Sequence, residues 1–273
     1  MKYAVCNELF GGDPFGDVCR KVASYDFEGI EIAPCTLAEN PWRIGSKQAK
    51  KVKKIMDDNG LQLVGFHWLL SAPQGLHLTT PETSTRKRSW DFLKFLIELC
   101  DELDGEILVL GSSRQRCTMG IPKEKALSHL EEGLKEIAPL AEGSSVKLLI
   151  EPLPSRVTDV VNTLREAKEL VEQVGSPAIG GMFDFHNCED EEKPWHQLIN
   201  EYFSMIEHVH LNEIDGNYPG SGNSDFLPAF RALRERDYKG WISLEIFHFT
   251  EPPDAILTGT RRLILELEHQ LKS

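Results

Sequence analysis

VKLLIEP, at residues 146–152, is a short apolar run that ends in a glutamate and a proline, and three runs of the same kind follow it. They are IGGMFDF (179–185), IEHVHLN (206–212) and WISLEIF (241–247). Runs that are apolar at nearly every position are typical of strands covered on both faces, as in a parallel sheet. The stretches between them (162–174, 194–204 and 226–236) have helical periodicity. This half of the chain is therefore predicted to be a series of β/α units.

The N-terminal half repeats the alternation. Its strand candidates are YAVCN (3–7), GIEIAP (29–34), LQLVGFH (61–67) and EILVLG (106–111). Helical patterns occupy 15–25, 46–58, 84–103 and 123–142, and a last one covers 254–271; Pro122 and Asn162 mark two of the helix starts. Eight strands alternating with eight helices predict a closed (β/α)₈ TIM barrel, which needs about 250 residues. No proline- or serine-rich linker divides the chain, so we expect one domain over residues 1–273.

Composition and charge argue against several classes of protein. The 43 acidic residues outnumber the 30 basic ones, and the net charge of −13 disfavours binding to nucleic acid or to anionic membranes. The six cysteines form no C-x-x-C pair, so we expect reduced thiols in the cytoplasm. The uncharged stretch 59–81 contains histidines and glutamines, and we interpret it as a strand and a loop rather than a membrane span.

Ionisable side chains stand near the carboxyl ends of the last four predicted strands: Glu151, Asp184, His210 and Glu245. An ionisable group in an apolar strand costs several kcal/mol unless it is paired or binds a metal. In a barrel these strands are neighbours, and their carboxyl ends meet at the mouth, where active sites lie. Three carboxylates and one imidazole predict a site for Mn²⁺, Mg²⁺, Co²⁺ or Zn²⁺. Taken singly, each residue is also explained by a helix cap, an ion pair or a buried hydrogen bond.

Four more polar side chains follow predicted strands and are candidates for substrate contacts. His67 ends the third strand, Glu8 follows the first, Arg156 follows the fifth and Glu213 follows the seventh. Arg156 is suited to binding a carboxylate or phosphate through two hydrogen bonds, or to pairing with an acid on the rim. Glu213 is suited to orienting metal ligands, or to lying in solvent. Ordinary hydrogen bonds and salt bridges explain His67 and Glu8 equally well.

The segments VKLLIEPL, VHLNEID, PGSGNSDF and GWISLEIF, with VCNELF, GIEIAP and FHWLL, resemble the xylose-isomerase-like barrels. Within them the resemblance is to the sugar isomerase/epimerase branch, typified by ketose 3-epimerases and related to endonuclease IV. It covers nearly the whole chain and implies one divalent metal, often Mn²⁺, held by Glu151, Asp184, His210 and Glu245. It also implies a small carbohydrate substrate, and it leaves a homo-oligomer open because family members are often dimers or tetramers.

The resemblance implies isomerisation or epimerisation of a small sugar or sugar-like keto-polyol, with Glu151 and Glu245 as the groups that move protons. A metal on the substrate carbonyl and the adjacent hydroxyl acidifies the neighbouring C–H and stabilises the enediolate. One carboxylate then removes the proton, and the second returns one on the opposite face or at the neighbouring carbon.

The chain departs from the epimerase pattern at three positions. The family's Asp-x-x-His is DFHN at 184–187, which brings the substrate-contact candidate His186 one residue early. Gly216 stands where an arginine is expected, and Val157 where a glutamate is expected. These departures leave two alternatives open: a metal-dependent lyase or dehydratase acting on a keto-sugar or inositol derivative, and a non-catalytic sugar-binding barrel. PGSGNSDF lacks the histidines that the nuclease relatives need, which disfavours DNA repair.

Overall fold

Eight parallel strands pair in chain order, and the last pairs with the first to close a barrel, in a computed structural model that describes residues 1–272. The strands are β1 (Lys2–Cys6), β2 (Gly29–Ile32), β3 (Gln62–Phe66), β4 (Ile107–Leu110), β5 (Lys147–Ile150), β6 (Ile179–Asp184), β7 (Ile206–Leu211) and β8 (Trp241–Leu244). The predicted (β/α)₈ barrel is confirmed.

Helices connect each strand to the next and cover the outside of the barrel. They are α1 (Phe15–Ser24), α2 (Pro34–Leu37), α3 (Ser46–Asp58), α4 (Thr83–Glu102), α5 (Lys123–Glu142), α6 (Leu164–Val174), α7 (Trp195–Tyr202), α8 (Leu227–Glu235) and α9 (Pro253–Lys272). Helix α2, a single turn that begins at a proline, has no counterpart among the predicted helices. Among residues 1–272, none of the helices combines the length and the hydropathy that a membrane-spanning segment needs.

Two predicted helix starts can be compared with the observed caps. α5 begins directly after Pro122, as expected. α6 begins one residue later than Asn162 suggested, because Thr163 is the N-cap and its hydroxyl accepts the backbone N–H of Glu166 at 3.2 Å. The Asn162 amide instead donates to two backbone carbonyls of the preceding loop.

Side chains along each strand alternate between the barrel interior and the helix layer, because the strand period is two. Seven buried side chains from six strands form a cluster separate from the large core: Ala4, Val64, Ile107, Val109, Leu149, Met182 and Trp241. Glu151 and Asp184 stand two positions beyond Leu149 and Met182, on the same face of β5 and β6. The inward-facing apolar side chains therefore give way to ionisable ones at the carboxyl ends of the strands.

Candidate functional site

Four side chains at the carboxyl ends of β5–β8 converge in one buried group, called here the four-residue cluster: Glu151, Asp184, His210 and Glu245. One ligand atom from each lies within 4.8 Å of the others. His210 Nδ1 is 2.8 Å from Glu245 Oε2. The same nitrogen is 3.6 Å from Asp184 Oδ2 and 3.9 Å from Glu151 Oε1. The structure thus brings together the four residues that the sequence analysis selected as metal ligands.

Strand pairing sets this geometry. Asp184 lies opposite His210 in the β6–β7 ladder, beyond an irregularity between Gly181 and Met182. Such irregularities re-aim side chains and are common next to active sites. Glu245 comes one residue after β8, and its backbone N–H still bonds a carbonyl of β7 at 3.4 Å. The backbone therefore holds these positions before any ligand is considered.

The donor atoms fit a divalent cation. Among the described residues, His210 Nδ1 and Glu245 Oε2 have no hydrogen-bond partner, although the two atoms lie 2.8 Å apart. Buried polar atoms are nearly always paired, so two orphaned atoms among carboxylates indicate a missing ligand. Oxygen donors with one imidazole nitrogen and no thiolate suit Mn²⁺, Mg²⁺, Co²⁺ or Zn²⁺.

The charges of the four-residue cluster also favour the binding of a cation. Burial, and then the charges of Glu245 and Asp184, raise the pKa of Glu151 well above its usual range. Burial alone would lower the pKa of His210, but the charges of Glu245 and Glu31 outweigh it and raise that pKa well above its usual range. Like charges held this close in a buried site repel one another. A bound divalent cation would offset that repulsion.

Neutral donors anchor one oxygen of each glutamate in the four-residue cluster. Asn187 Nδ2 donates to Glu151 Oε1 at 3.0 Å. Trp68 Nε1 donates to Glu245 Oε1 at 3.1 Å. A neutral donor fixes a carboxylate without cancelling its charge, so the second oxygen remains available to a cation or a proton. Neither donor is among the site residues predicted from the sequence, since neither carries charge and each reaches the site from a loop.

Two of the substrate-contact candidates lie beside the four-residue cluster. His67 Nε2 and Glu8 Oε2 are 2.6 Å apart, and both side chains are buried. With Glu245 they form a second group whose ligand atoms lie within 4.8 Å of one another. Burial raises the pKa of Glu8, whereas the charge of Glu8 outweighs burial and raises the pKa of His67. A substrate contact by this pair stays a prediction.

Two other candidates lie on the rim of the mouth. Arg156 is exposed and forms an ion pair with Glu189, the rim pairing that was its alternative interpretation. Its Nη2 is also 3.1 Å from His186 Nε2. His186 Nδ1 in turn lies 2.7 Å from the carbonyl oxygen of Ile214. The pair therefore links the loops after β5, β6 and β7.

Glu213 is buried and has partners other than the metal ligands. Its Oε1 accepts the backbone N–H of Gly220 at 2.9 Å and that of Gly222 at 3.2 Å. These bonds hold the PGSG turn (219–222) against the end of β7. Glu213 therefore fixes the loop conformation, and its predicted role in orienting the metal ligands stays a prediction.

Two buried charged residues are not among the site residues predicted from the sequence. Glu31 lies within β2 and is fully buried. An ionisable residue inside an apolar run was the signal used for the last four strands, and the run GIEI carries it too. Arg116, in the loop after β4, is also fully buried, and its Nη2 donates to the Glu151 carbonyl at 2.6 Å. The segment SSRQR gives no sign of which arginine turns inward.

Known proteins share these features of sequence and fold. The family model described as "Xylose isomerase-like TIM barrel" matches residues 19–265. The chain is 26% identical over 248 residues to a "Probable ketose 3-epimerase" of Synechocystis sp., covering 89% of this chain and 82% of the relative. It is 27% identical over 233 residues to a D-psicose 3-epimerase of Ruminiclostridium cellulolyticum, covering 84% and 76%. In fold it matches the D-psicose 3-epimerase with D-tagatose from Clostridium cellulolyticum H10, with a TM-score of 0.87, 21% identity and 99% of both chains covered.

Proposed function

Because the chain belongs to the xylose isomerase-like TIM barrel family, we propose that it is a divalent-metal-dependent sugar isomerase or epimerase. The substrate class is a small ketose or a related keto-polyol. The observation that carries the proposal is the four-residue cluster, in which three carboxylates surround Nδ1 of His210, an atom without a hydrogen-bond partner among residues 1–272. The relatives named ketose 3-epimerase and D-psicose 3-epimerase support epimerisation over other reactions of the same site.

The cation would be held by the four-residue cluster. We propose Mn²⁺, with Mg²⁺, Co²⁺ and Zn²⁺ as alternatives, since all four accept this donor set. When bound, the metal supplies Lewis-acid polarisation of the substrate carbonyl and the positive charge that makes the adjacent C–H acidic.

Glu151 and Glu245 are proposed as the two proton-transfer groups. One carboxylate removes the proton from the carbon next to the carbonyl, and the other delivers a proton to the opposite face of that carbon. The net change is inversion at one carbon, with no atoms gained or lost. Two features support this assignment. The glutamates follow β5 and β8, with two strands between them, and each has one oxygen anchored by a neutral donor.

The test is exchange of a substrate proton with solvent. The purified protein is loaded with Mn²⁺ and incubated in D₂O with D-fructose, D-psicose, D-tagatose or L-ribulose. Proton NMR and mass spectrometry then follow deuterium next to the carbonyl and the identity of the product. We expect an isomer of equal mass that carries deuterium. Glu151→Gln and Glu245→Gln should keep the fold but lose exchange, and chelation with EDTA should abolish turnover in the parent.

A matched control separates loss of chemistry from loss of one negative charge. Glu191 accepts the backbone N–H of Leu164 at 2.7 Å and lies outside the four-residue cluster, so Glu191→Gln should exchange at close to the parental rate. Full turnover after chelation would exclude the metal mechanism. A product lighter by one water would indicate the lyase alternative. Sugar binding without any product would indicate a binding barrel.

We further propose that the protein acts in the cytoplasm on a free carbohydrate, independently of nucleic acid and membranes. The six cysteines are all unpaired, as expected in a reducing compartment, and the net charge of −13 repels polyanions. Whether a homo-oligomer forms is tested by size-exclusion chromatography with light scattering.

A further inference from the structure

Glu31 is a charged residue that the proposed mechanism does not use, and it lies in the interior of the barrel. It occupies the third position of β2, opposite Cys6 of β1, and its side chain is completely buried. A carboxylate removed from water costs several kcal/mol unless strong hydrogen bonds replace the lost solvent. Its partners therefore indicate what the side chain does.

Each Glu31 oxygen contacts an imidazole of β7. Oε2 is 2.9 Å from His208 Nε2, and Oε1 is 3.1 Å from His210 Nε2. His208 and His210 stand two positions apart on one strand, so both rings face the interior, where Glu31 reaches them. The two rings are nearly perpendicular, with an interplanar angle of 86° and centroids 5.0 Å apart. One carboxylate thus bridges two differently oriented rings.

The bridge determines which nitrogen of His210 carries the hydrogen. A carboxylate only accepts hydrogen bonds, so the His210 nitrogen that contacts Glu31 must be the N–H donor. In a neutral imidazole the other nitrogen, Nδ1, then holds a free lone pair. Nδ1 is the atom that faces the three carboxylates of the four-residue cluster, and it has no hydrogen-bond partner in the described part of the chain. The contact also fixes the plane of the ring.

We propose that Glu31 is a positioning residue that presents His210 Nδ1 to the divalent cation, with His208 holding the second oxygen of Glu31. The inference rests on the metal site of the proposed function. Glu31 acts through the ring of His210 and lies on the opposite side of that ring from the cluster. Its removal should therefore act first on metal affinity, by about 10–100-fold, as for other partners of metal-bound histidines.

The experiment measures Mn²⁺ affinity without any substrate. Metal-free parent, Glu31→Gln, Glu31→Asp and the control Glu191→Gln are titrated with Mn²⁺, and the free ion is followed by electron paramagnetic resonance. We expect affinity to fall at least tenfold in both Glu31 variants and to stay within about threefold of the parent in the control. A glutamine side chain offers one oxygen acceptor for two N–H groups, and an aspartate side chain is one methylene too short to bridge both rings. Circular dichroism verifies that each variant is folded.

A second measurement uses the parent and Glu31→Gln loaded with diamagnetic Zn²⁺, because a metal on one ring nitrogen keeps His210 from taking up a second hydrogen. Proton–nitrogen-15 NMR of the histidine rings should show the hydrogen of His210 on Nε2 in the parent, exchanging slowly with solvent, and Glu31→Gln should speed that exchange. A parent that binds no Mn²⁺ would overturn the metal site of the proposed function. Parental affinity in a folded Glu31→Gln, or a parent with the hydrogen of His210 on Nδ1, would overturn this inference alone.

Discussion

Gly111, which follows β4, lies so close to the carboxylate of Glu151 that a Cβ built on Gly111 would overlap Glu151 Oε2. The atom in the way is the tip of a flexible side chain, so the carboxylate can move while the backbone stays. Gly111 does not have a positive φ, so alanine is sterically allowed there by the backbone. Only glycine at this position leaves the Glu151 carboxylate where it stands in the four-residue cluster.

Gly111→Ala should displace the Glu151 carboxylate and leave the barrel folded. We expect Mn²⁺ affinity and turnover to fall at least tenfold, about 1.4 kcal/mol, with little change in melting temperature. Calorimetric titration with Mn²⁺ and the solvent-exchange assay check this. Gly45→Ala is the control, because nothing lies within 4 Å of its built Cβ and its φ is −98°. Unchanged affinity in Gly111→Ala would show that Glu151 is not needed at its observed position.

Trp68→Phe should slow proton transfer by removing the hydrogen bond to Glu245. The indole N–H donates to Glu245 Oε1 at 3.1 Å, and a bond to a charged acceptor contributes about 1.5–3 kcal/mol. We expect kcat to fall at least tenfold while the fold is kept. Trp42→Phe, at a tryptophan that packs against Phe92, serves as the control and should keep kcat. Equal kcat values for Trp68→Phe and the parent would contradict an anchoring role.

Gly133→Ala should destabilise the outer helix layer, although alanine favours helix. A Cβ on Gly133 of α5 would overlap the indole ring of Trp90 in α4, which is rigid and buried. Overpacking costs about 1–3 kcal/mol, against a propensity gain of about 1 kcal/mol. We therefore expect a lower melting temperature by calorimetry. Gly143→Ala is the control. The atom nearest to a Cβ built on Gly143 is 3.5 Å away, so this variant should be destabilised less than Gly133→Ala. A higher melting temperature for Gly133→Ala would mean that the two helices separate easily.

His77 should make stability sensitive to mild acid. Burial lowers the pKa of His77, and its Nδ1 accepts the backbone N–H groups of Thr79 and Thr80. The unfolded chain then binds a proton more readily than the folded one. The contribution of neutral His77 to the free energy of unfolding is therefore present above about pH 6.5 and declines as the pH falls below it. His77→Gln should show a smaller drop in melting temperature between pH 7.5 and 5 than the parent. The control His248→Gln, at an exposed histidine, should show the same drop in melting temperature as the parent. Equal drops for His77→Gln and the parent would contradict a role of His77 in the acid sensitivity.

The candidate site was only partly predictable from sequence. Glu151, Asp184, His210 and Glu245 could be selected because each stands near the end of an apolar run, and parallel strands in a barrel end at one mouth. Arg156 and Glu213 carry equally suggestive charges, yet one pairs with Glu189 on the rim and the other holds the loop at Gly220. A charged residue beyond a strand does not reveal which way its side chain turns.

The sequence by itself determined the alternation of the eight strands with the eight longer helices, though not the single turn α2, because apolar periodicity and helix caps act between near neighbours in the chain. Only the tertiary structure decided which buried groups touch. Glu31 meets His208 and His210 across 177 and 179 positions, and Trp68 meets Glu245 across 177. Such contacts depend on how the closed sheet aligns its strands and on which face each residue occupies. Barrel closure brings β2 and β7 to a shared interior that no local pattern encodes.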